Sequence, residues 1–293
     1  MELSLPKDVF ACSNKHKETG GTVSFSDIRD KLCNPPVLAE KDQYRIKFAL
    51  DPLEIEAAFK LRYNVFKLEQ GKNIKPSGVE GIDCDEFDDY CLQLVVEEKN
   101  TKQIVGTYRV HLGPIAMESA LGFYSEHEFR IEGLDQLAPY TIEVGRSCVS
   151  SEYRNGTVVA LLWSGISETM FRSGLRYLTG CVSLENMDPA AGWALYEYFK
   201  QNDKISRKVV GFPLEKCRME RPDQKEIDRF LEDRFIMRSL IPPLFKGYLR
   251  LGAHICGEPV FDRDFGTIDF LILLDVAQLP SRYTKHFNVA SVE

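Results

Sequence analysis

The sequence predicts an α/β (α+β) fold built around a mixed sheet. Strand-like runs with alternating apolar residues are interleaved along the chain with helix-like runs, several of which open on a capping residue. The chain has 293 residues, 44% of them hydrophobic, which is enough to bury a full core. A formal net charge of -7 argues against broad nucleic-acid binding. The eight cysteines include no Cys-x-x-Cys pair, so free thiols in a reducing, cytoplasmic compartment are expected, and no metal site. No run approaches the roughly 18 apolar residues needed to span a bilayer.

Residues 1–42 show no sustained period and read as a mobile leader, punctuated by Pro35-Pro36. Residues 43–50 alternate as a strand. Asp51-Pro52-Leu53-Glu54 then opens a helix, with Asp51 as cap, Pro52 in the first turn and Glu54 completing a capping box. This helix should run to about Glu69, with Ile55, Phe59 and Phe66 on one stripe and Arg62 within it. Residues 91–98 and 103–111 read as a hairpin, 113–139 as a small helix with loops, and 141–149 as a strand. Asn155-Gly156-Thr157 opens an apolar helix ending near Gly174, followed by a strand over 177–183. Asp188-Pro189 starts the next helix, through Trp193, Tyr196 and Phe199. A short strand over 209–214, helices over 224–240 and 242–251, and an apolar strand over 268–274 complete the chain.

Three patches place charge inside apolar segments: Leu61-Arg62-Tyr63-Asn64-Val65-Phe66, Asp85-Glu86-Phe87-Asp88 and Glu143-Val144-Gly145-Arg146. Buried charge is costly unless paired or used. Arg62 needs a carboxylate or a substrate anion, and Asp85 and Asp88 are the nearest acids; a structural ion pair and the wall of a substrate site are both open readings. Arg109 is either a solvated strand arginine or part of the same cleft. In an ideal strand Glu143 and Arg146 point apart, but Gly145 permits a bulge that would turn both to one side. A partly buried Glu143 with a raised pKa would suit a general base; an ordinary sheet glutamate is the alternative. Arg154-Asn155-Gly156-Thr157, at a helix start, has the form of a phosphate loop or of a simple cap. No P-loop or Gly-x-Ser-x-Gly elbow is present.

With these patches, Ile104-Val105-Gly106-Thr107-Tyr108-Arg109, the tail 246–253 and Gly266-Thr267-Ile268-Asp269-Phe270, the chain resembles the GNAT-fold N-acyltransferases. Within them it is similar to the ornithine-lipid N-acyltransferases, also called hemolysin-like proteins, over roughly 45–287. The first patches also resemble acyl-homoserine lactone synthases. The resemblance implies a GNAT-like, mostly antiparallel sheet with flanking helices and a helical C-terminal extension, as one domain over 43–287 with a tail over 288–293. It implies acyl transfer to the α-amine of an amino acid, with Glu143 activating the amine and Tyr196 protonating the departing thiol. Arg62, Phe66, Asp85, Asp88, Arg109 and Arg146 would line the acceptor site. Val144, Val149, Arg154, Asn155, Gly156 and Thr157 would meet the thioester and its pantetheine arm, strand N–H groups near Val144 to Val149 steadying the oxyanion.

The family's usual pyrophosphate loop is not intact at Arg154-Asn155-Gly156-Thr157-Val158, which favours acyl-phosphopantetheine on an acyl carrier protein over coenzyme A, with no bound cofactor. An acidic carrier would dock on a basic patch, for which Arg234/Arg238, Lys246/Arg250 and the cluster Lys200, Lys204, Arg207 and Lys208 are candidates. The same bases would serve peripheral membrane contact. L-ornithine leads as acceptor, with glycine an alternative; Glu258, Asp262 and Asp264 are the acids available for a second ammonium. A lactone synthase and a non-catalytic lipid-surface module are the remaining readings, the long segment after Ser183 weighing against the former.

Overall fold

The alternation of polar and apolar residues in the central strands builds a sheet with one apolar face and one polar face, and both are covered. The computed structural model describes residues 25–74 and 79–280. Its strands are β1 (Val37–Lys41), β2 (Tyr44–Phe48), β3 (Leu92–Glu98), β4 (Ile104–Leu112), β5 (Phe129–Glu132), β6 (Thr141–Val149), β7 (Tyr177–Leu184), β8 (Val210–Pro213), β9 (His254–Ile255), β10 (Val260–Asp262) and β11 (Thr267–Asp275). The helices are α1 (Phe25–Cys33), α2 (Pro52–Tyr63), α3 (Gly113–Glu118), α4 (Leu134–Leu137), α5 (Gly156–Ser173), α6 (Pro189–Gln201), α7 (Gln224–Leu231), α8 (Arg234–Leu240) and α9 (Pro243–Leu251).

The main sheet has the order β1-β2-β3-β4-β6-β7-β11-β10, with β9 also on β11. The β6–β7 pair is parallel, while its neighbours in the sheet pair antiparallel. The parallel pairing is short: Thr141, Ile142 and Glu143 oppose Tyr177, Leu178 and Thr179, and no further partners follow. Beyond Glu143 and Thr179 the two strands separate, leaving a gap in the middle of the sheet.

On one face, Leu94, Val96, Val105, Val110, Val144, Leu178, Phe270 and Ile272 form a single core with α5, α6 and α9. Gly165 of α5 makes this approach close, because a Cβ there would stand 2.7 Å from Ile46. The other face carries Gln93, Thr107, Arg109, His111, Glu143, Thr179 and Asp269, all buried. They are covered by α2 and by the separate β5–β8 ladder. That buried polar face positions the site.

Several sequence expectations shift. Residues 25–41, expected within a mobile leader, form α1 and β1; Ile28 and Leu32 lie one helical turn apart and enter the core, a period too short to stand out. The rest of the leader and the tail over 288–293 lie outside the described residues. Asp51 caps α2 by accepting from the Leu53 N–H, but Glu54 pairs with Lys47 instead of closing a capping box. The helix continues to Glu69 as expected, changing to a π-helical turn over Asn64–Glu69. The helix expected over 224–240 breaks into α7 and α8, with Asp233 capping the second through the Phe235 and Ile236 N–H groups.

Candidate active site

Arg62 is fully buried under α2. Its Nη1 and Nη2 donate to the two carboxylate oxygens of Asp88 at 2.7 and 2.9 Å, and its Nε to Asp83 at 3.0 Å. Such a fork-to-fork pair matches the planar guanidinium to the carboxylate geometry. Asp88 also takes a bond from Gln93. Burial alone would raise the Asp88 carboxyl, but Arg62 and Arg109 outweigh it and hold it far below the usual carboxylate range.

Asp85 begins the next layer. It caps the 3₁₀ turn Glu86–Tyr90 through the Phe87 N–H, and Asp88 closes the box on the Asp85 N–H. Both Asp85 oxygens receive arginines: Arg109 Nη1 at 2.6 Å and Arg146 Nη2 at 3.0 Å. The two guanidiniums lie over the Tyr124 ring, at 5.1 and 5.3 Å. Arg146 reaches this layer through a bulge on β6. Thr107 opposes Cys148 and Arg109 opposes Gly145, so β6 carries one extra residue. Arg146 itself takes a left-handed φ of 49°, and Gly145, expected to permit the bulge, does not. Arg146 Nε is 3.6 Å from Asp83, is buried and has no hydrogen-bond partner among the described residues.

Glu143 lies two residues earlier on the same strand face as Gly145. Its oxygens accept from the Tyr124 N–H at 2.6 Å and the Ser125 N–H at 2.8 Å, at the start of a 3₁₀ turn. Burial raises the Glu143 carboxyl; these bonds and Arg109 oppose it without cancelling it.

A cavity of about 250 Å³ runs through the gap between β6 and β7. On the polar face it is lined by Arg109, His111, Glu143, Arg146, Asp262 and Asp269. On the other face its walls are Tyr108, Val144, Val182, Leu244, Phe245 and Tyr248. Tyr108 and Tyr248 place their hydroxyls 3.2 Å apart, and burial pushes both phenols above their ordinary value. A second cavity of about 280 Å³ adjoins the first, sharing Phe87, Tyr124, Arg146, Asp262 and Phe265.

The structure therefore brings Phe66, Asp85, Arg109, Glu143, Val144 and Arg146 together at these cavities. Arg62 and Asp88, expected in the acceptor wall, stand behind it, because their mutual pairing leaves neither facing the cavities. Tyr196, expected as thiol proton donor, does not line the cavity; its place on α6 sets it edge-on to Trp193 and under Lys200. Val149 lies in the core, and Arg154, Asn155, Gly156 and Thr157 are also absent from the lining. Asn155 accepts from the Thr157 and Val158 N–H groups, while Arg154 bonds the Val149 carbonyl and Glu69. Of the acids considered for a second ammonium, Asp262 lines both cavities and Asp264 the second; Glu258 is exposed.

Sequence reasoning missed Asp83, His111, Tyr124, Glu128 and the Tyr108–Tyr248 pair. The alternation Thr107-Tyr108-Arg109-Val110-His111 carried a signal for His111, as a polar residue on the Arg109 face. The contribution of 123–128 has no such signal, since it arises from backbone N–H groups.

Residues 61–164 match the family model "Acetyltransferase (GNAT) domain". The L-ornithine N(alpha)-acyltransferase of Brucella abortus is 34% identical over 262 residues, 86% of this chain and 91% of that protein. The L-ornithine N(alpha)-acyltransferase of Rhizobium meliloti is 32% identical over 300 residues, 98% of this chain and 96% of its own. The glycine N(alpha)-acyltransferase of Phocaeicola vulgatus is 28% identical over 252 residues, 76% and 74% of the two chains. No helix among the described residues is long and apolar enough to cross a membrane. With a GNAT domain and relatives matched over nearly their full length, the chain belongs to the L-ornithine N(alpha)-acyltransferase family and is an N-acyltransferase.

Proposed function

We propose that the protein moves a 3-hydroxyacyl group from the phosphopantetheine thiol of an acyl carrier protein to the α-amine of L-ornithine, giving a lyso-ornithine lipid. The observation that carries this reading is the cavity through the sheet, polar on one side and apolar on the other. An amino acid suits the side with Arg109, Glu143 and Arg146. An acyl chain suits the side with Val182, Leu244 and Phe245.

The acceptor's carboxylate is received by Arg146, whose Nε has no other hydrogen-bond partner among the described residues. Glu143, directly or through water, takes a proton from the α-ammonium. The freed nitrogen attacks the thioester carbonyl, a C–N bond forms, and the C–S bond breaks. The Tyr108–Tyr248 hydroxyl pair borders the gap, so it replaces Tyr196 as the source of the proton that the departing thiolate takes up. The amine's second proton leaves to solvent or to the same pair. N–H groups of β6 beyond Val144, without partners from β7, are suited to the oxyanion.

A carrier-protein donor is favoured because the groups that would hold a nucleotide's pyrophosphate are engaged. The Thr157 and Val158 N–H groups are taken by Asn155, and Arg154 by Glu69 and Val149. Phe235, 83% exposed, and Ile236 stand on α8 with exposed Arg238, a few residues before Pro242 and Leu244 of the cavity wall. That surface suits peripheral contact with an anionic bilayer as the acylated product leaves.

The test is direct. Purified protein is mixed with acyl carrier protein or coenzyme A bearing the same acyl group, and with ornithine or glycine, and products are read by mass spectrometry. Acyl-ornithine formed faster from the carrier is the expected result. Amide with neither amine would overturn the reading.

A further inference from the structure

Two buried acids on the polar face take no part in the chemistry above. Asp269, on β11, is 4% exposed and lines the first cavity. Glu128, 5% exposed, directly follows the turn whose N–H groups hold Glu143, and it lines the adjoining cavity. An oxygen of each, with Sγ of Cys181, all lie within 4.8 Å of one another. Glu128 Oε2 and Asp269 Oδ1 are buried without any hydrogen-bond partner among the described residues.

Uncompensated, this arrangement is unfavourable. Buried carboxyls side by side resist ionisation; the Cys181 thiol eases Glu128, and the Thr267 and Ser183 hydroxyls ease Asp269, but the two unpaired oxygens have lost their hydration without replacement. The surroundings add to the problem, since Asp262 and Glu143 also act on Glu128. Burial, reinforced by Asp262, pushes the Asp269 carboxyl up to about 6. Lys72 acts on Asp269 as well, but its ammonium rests over the Phe265 ring. A cation arriving between the two side chains would give both carboxyls a counter-charge.

We propose that Glu128 and Asp269 form the subsite for the acceptor's side-chain ammonium, and so select a basic amino acid over a neutral one. This rests on the reading that the cavity holds an amino-acid acceptor. A primary ammonium brings three donors and no acceptor, which matches two free carboxyl oxygens. A divalent metal would instead draw on the Cys181 thiolate, and burial with Glu128 and Asp269 pushes that thiol well up. The placement also fits: Arg146 for the carboxylate, Glu143 for the α-amine and the two acids for the far end all border the joined cavities.

The experiment compares ornithine with norvaline, its neutral analogue of the same carbon chain, in wild type, Asp269→Asn and Glu128→Gln. Acyl transfer is measured at saturating donor, and binding of each amino acid by calorimetry without donor. Wild type should favour ornithine in both readouts. Asp269→Asn should cut the ornithine-to-norvaline ratio of kcat/KM by on the order of tenfold to a hundredfold. Glu128→Gln should lower the same ratio by less. An unchanged ratio in both variants overturns the proposal, whatever happens to overall activity. So does a stoichiometric divalent metal in the purified protein that Asp269→Asn loses. If wild type forms no amide yet binds ornithine in preference to norvaline, and Asp269→Asn abolishes that preference, the subsite stands and the acyl-transfer reading falls.

Discussion

Glu143 and His111 face each other across the β4–β6 ladder, and both side chains line the cavity. Their circumstances are opposite. Glu143 has two N–H donors on its carboxylate, while neither ring nitrogen of His111 has a hydrogen-bond partner among the described residues. Burial, and then Arg109, bring the imidazole down to about 4, so it is neutral near pH 7. The acid is raised and the histidine lowered, which favours Glu143 over His111 as the proposed base.

Glu143→Gln should therefore lower kcat by about 10²–10⁴-fold, well beyond its effect on stability, where the amide leaves one of the two N–H groups unmet at a cost of about 1–3 kcal/mol. Only the ionised carboxylate accepts a proton, so wild-type kcat/KM should rise with pH through the folded pKa of Glu143. That limb lies above the ordinary Glu value of about 4.3, and should vanish in Glu143→Gln. A midpoint that falls in step with activity would make Glu143 a brace for the 123–128 turn and nothing more.

Asp88 should behave as a stability residue. Asp88→Asn leaves the fully buried Arg62 with only Asp83 as an ion-pair partner among the described residues, a change that costs about 3–5 kcal/mol, read by urea unfolding. The pH dependence follows from sign. The folded pKa of Asp88 is depressed, so its contribution is complete above the unfolded value near 3.9 and is lost as pH falls through the folded value. Wild type should lose stability below about pH 4 more steeply than Asp88→Asn. Equal acid slopes would sink the claim.

This pair also shows what was legible in the sequence. A charge on the apolar stripe of a capped helix announced Arg62, and two acids three residues apart announced its partner, although not that the pair would saturate itself. The joining of Glu143 and Arg146 through a bulge was readable as a possibility; the left-handed residue proved to be Arg146, where the bulge falls opposite Tyr108. Tyr196 was misplaced because helix phase does not fix which neighbour a half-buried ring meets. Glu128 and Asp269 lie 141 positions apart, and only β11 beside β7 brings them together at Cys181. No local pattern encodes such a meeting.

Arg146→Lys keeps the charge but replaces a planar fork with a point charge. It should raise KM for the amino acid by roughly tenfold and change kcat less, since the amine's base is untouched. Steady-state kinetics with varied acceptor checks this. A KM effect confined to the acyl donor would place the carboxylate elsewhere.

Gly180 marks the point at which β6 and β7 part. It follows Thr179, the last residue of β7 that pairs with β6, and adopts φ 150°. A Cβ at this position would lie 2.4 Å from the Val144 carbonyl oxygen, a backbone atom that cannot rotate away. Gly180→Ala must therefore push the strands apart or twist them where the cavity begins. The expected cost is about 1–3 kcal/mol in denaturant unfolding. The functional effect should fall on the acyl donor, because Val144 and Val182 form the wall there. Donor KM should rise several-fold while acceptor KM stays near wild type. By contrast, Gly145 has open space where its Cβ would stand, and Gly145→Ala should cost far less stability. If both substitutions destabilise equally, the close approach at Gly180 does not set the opening between the strands.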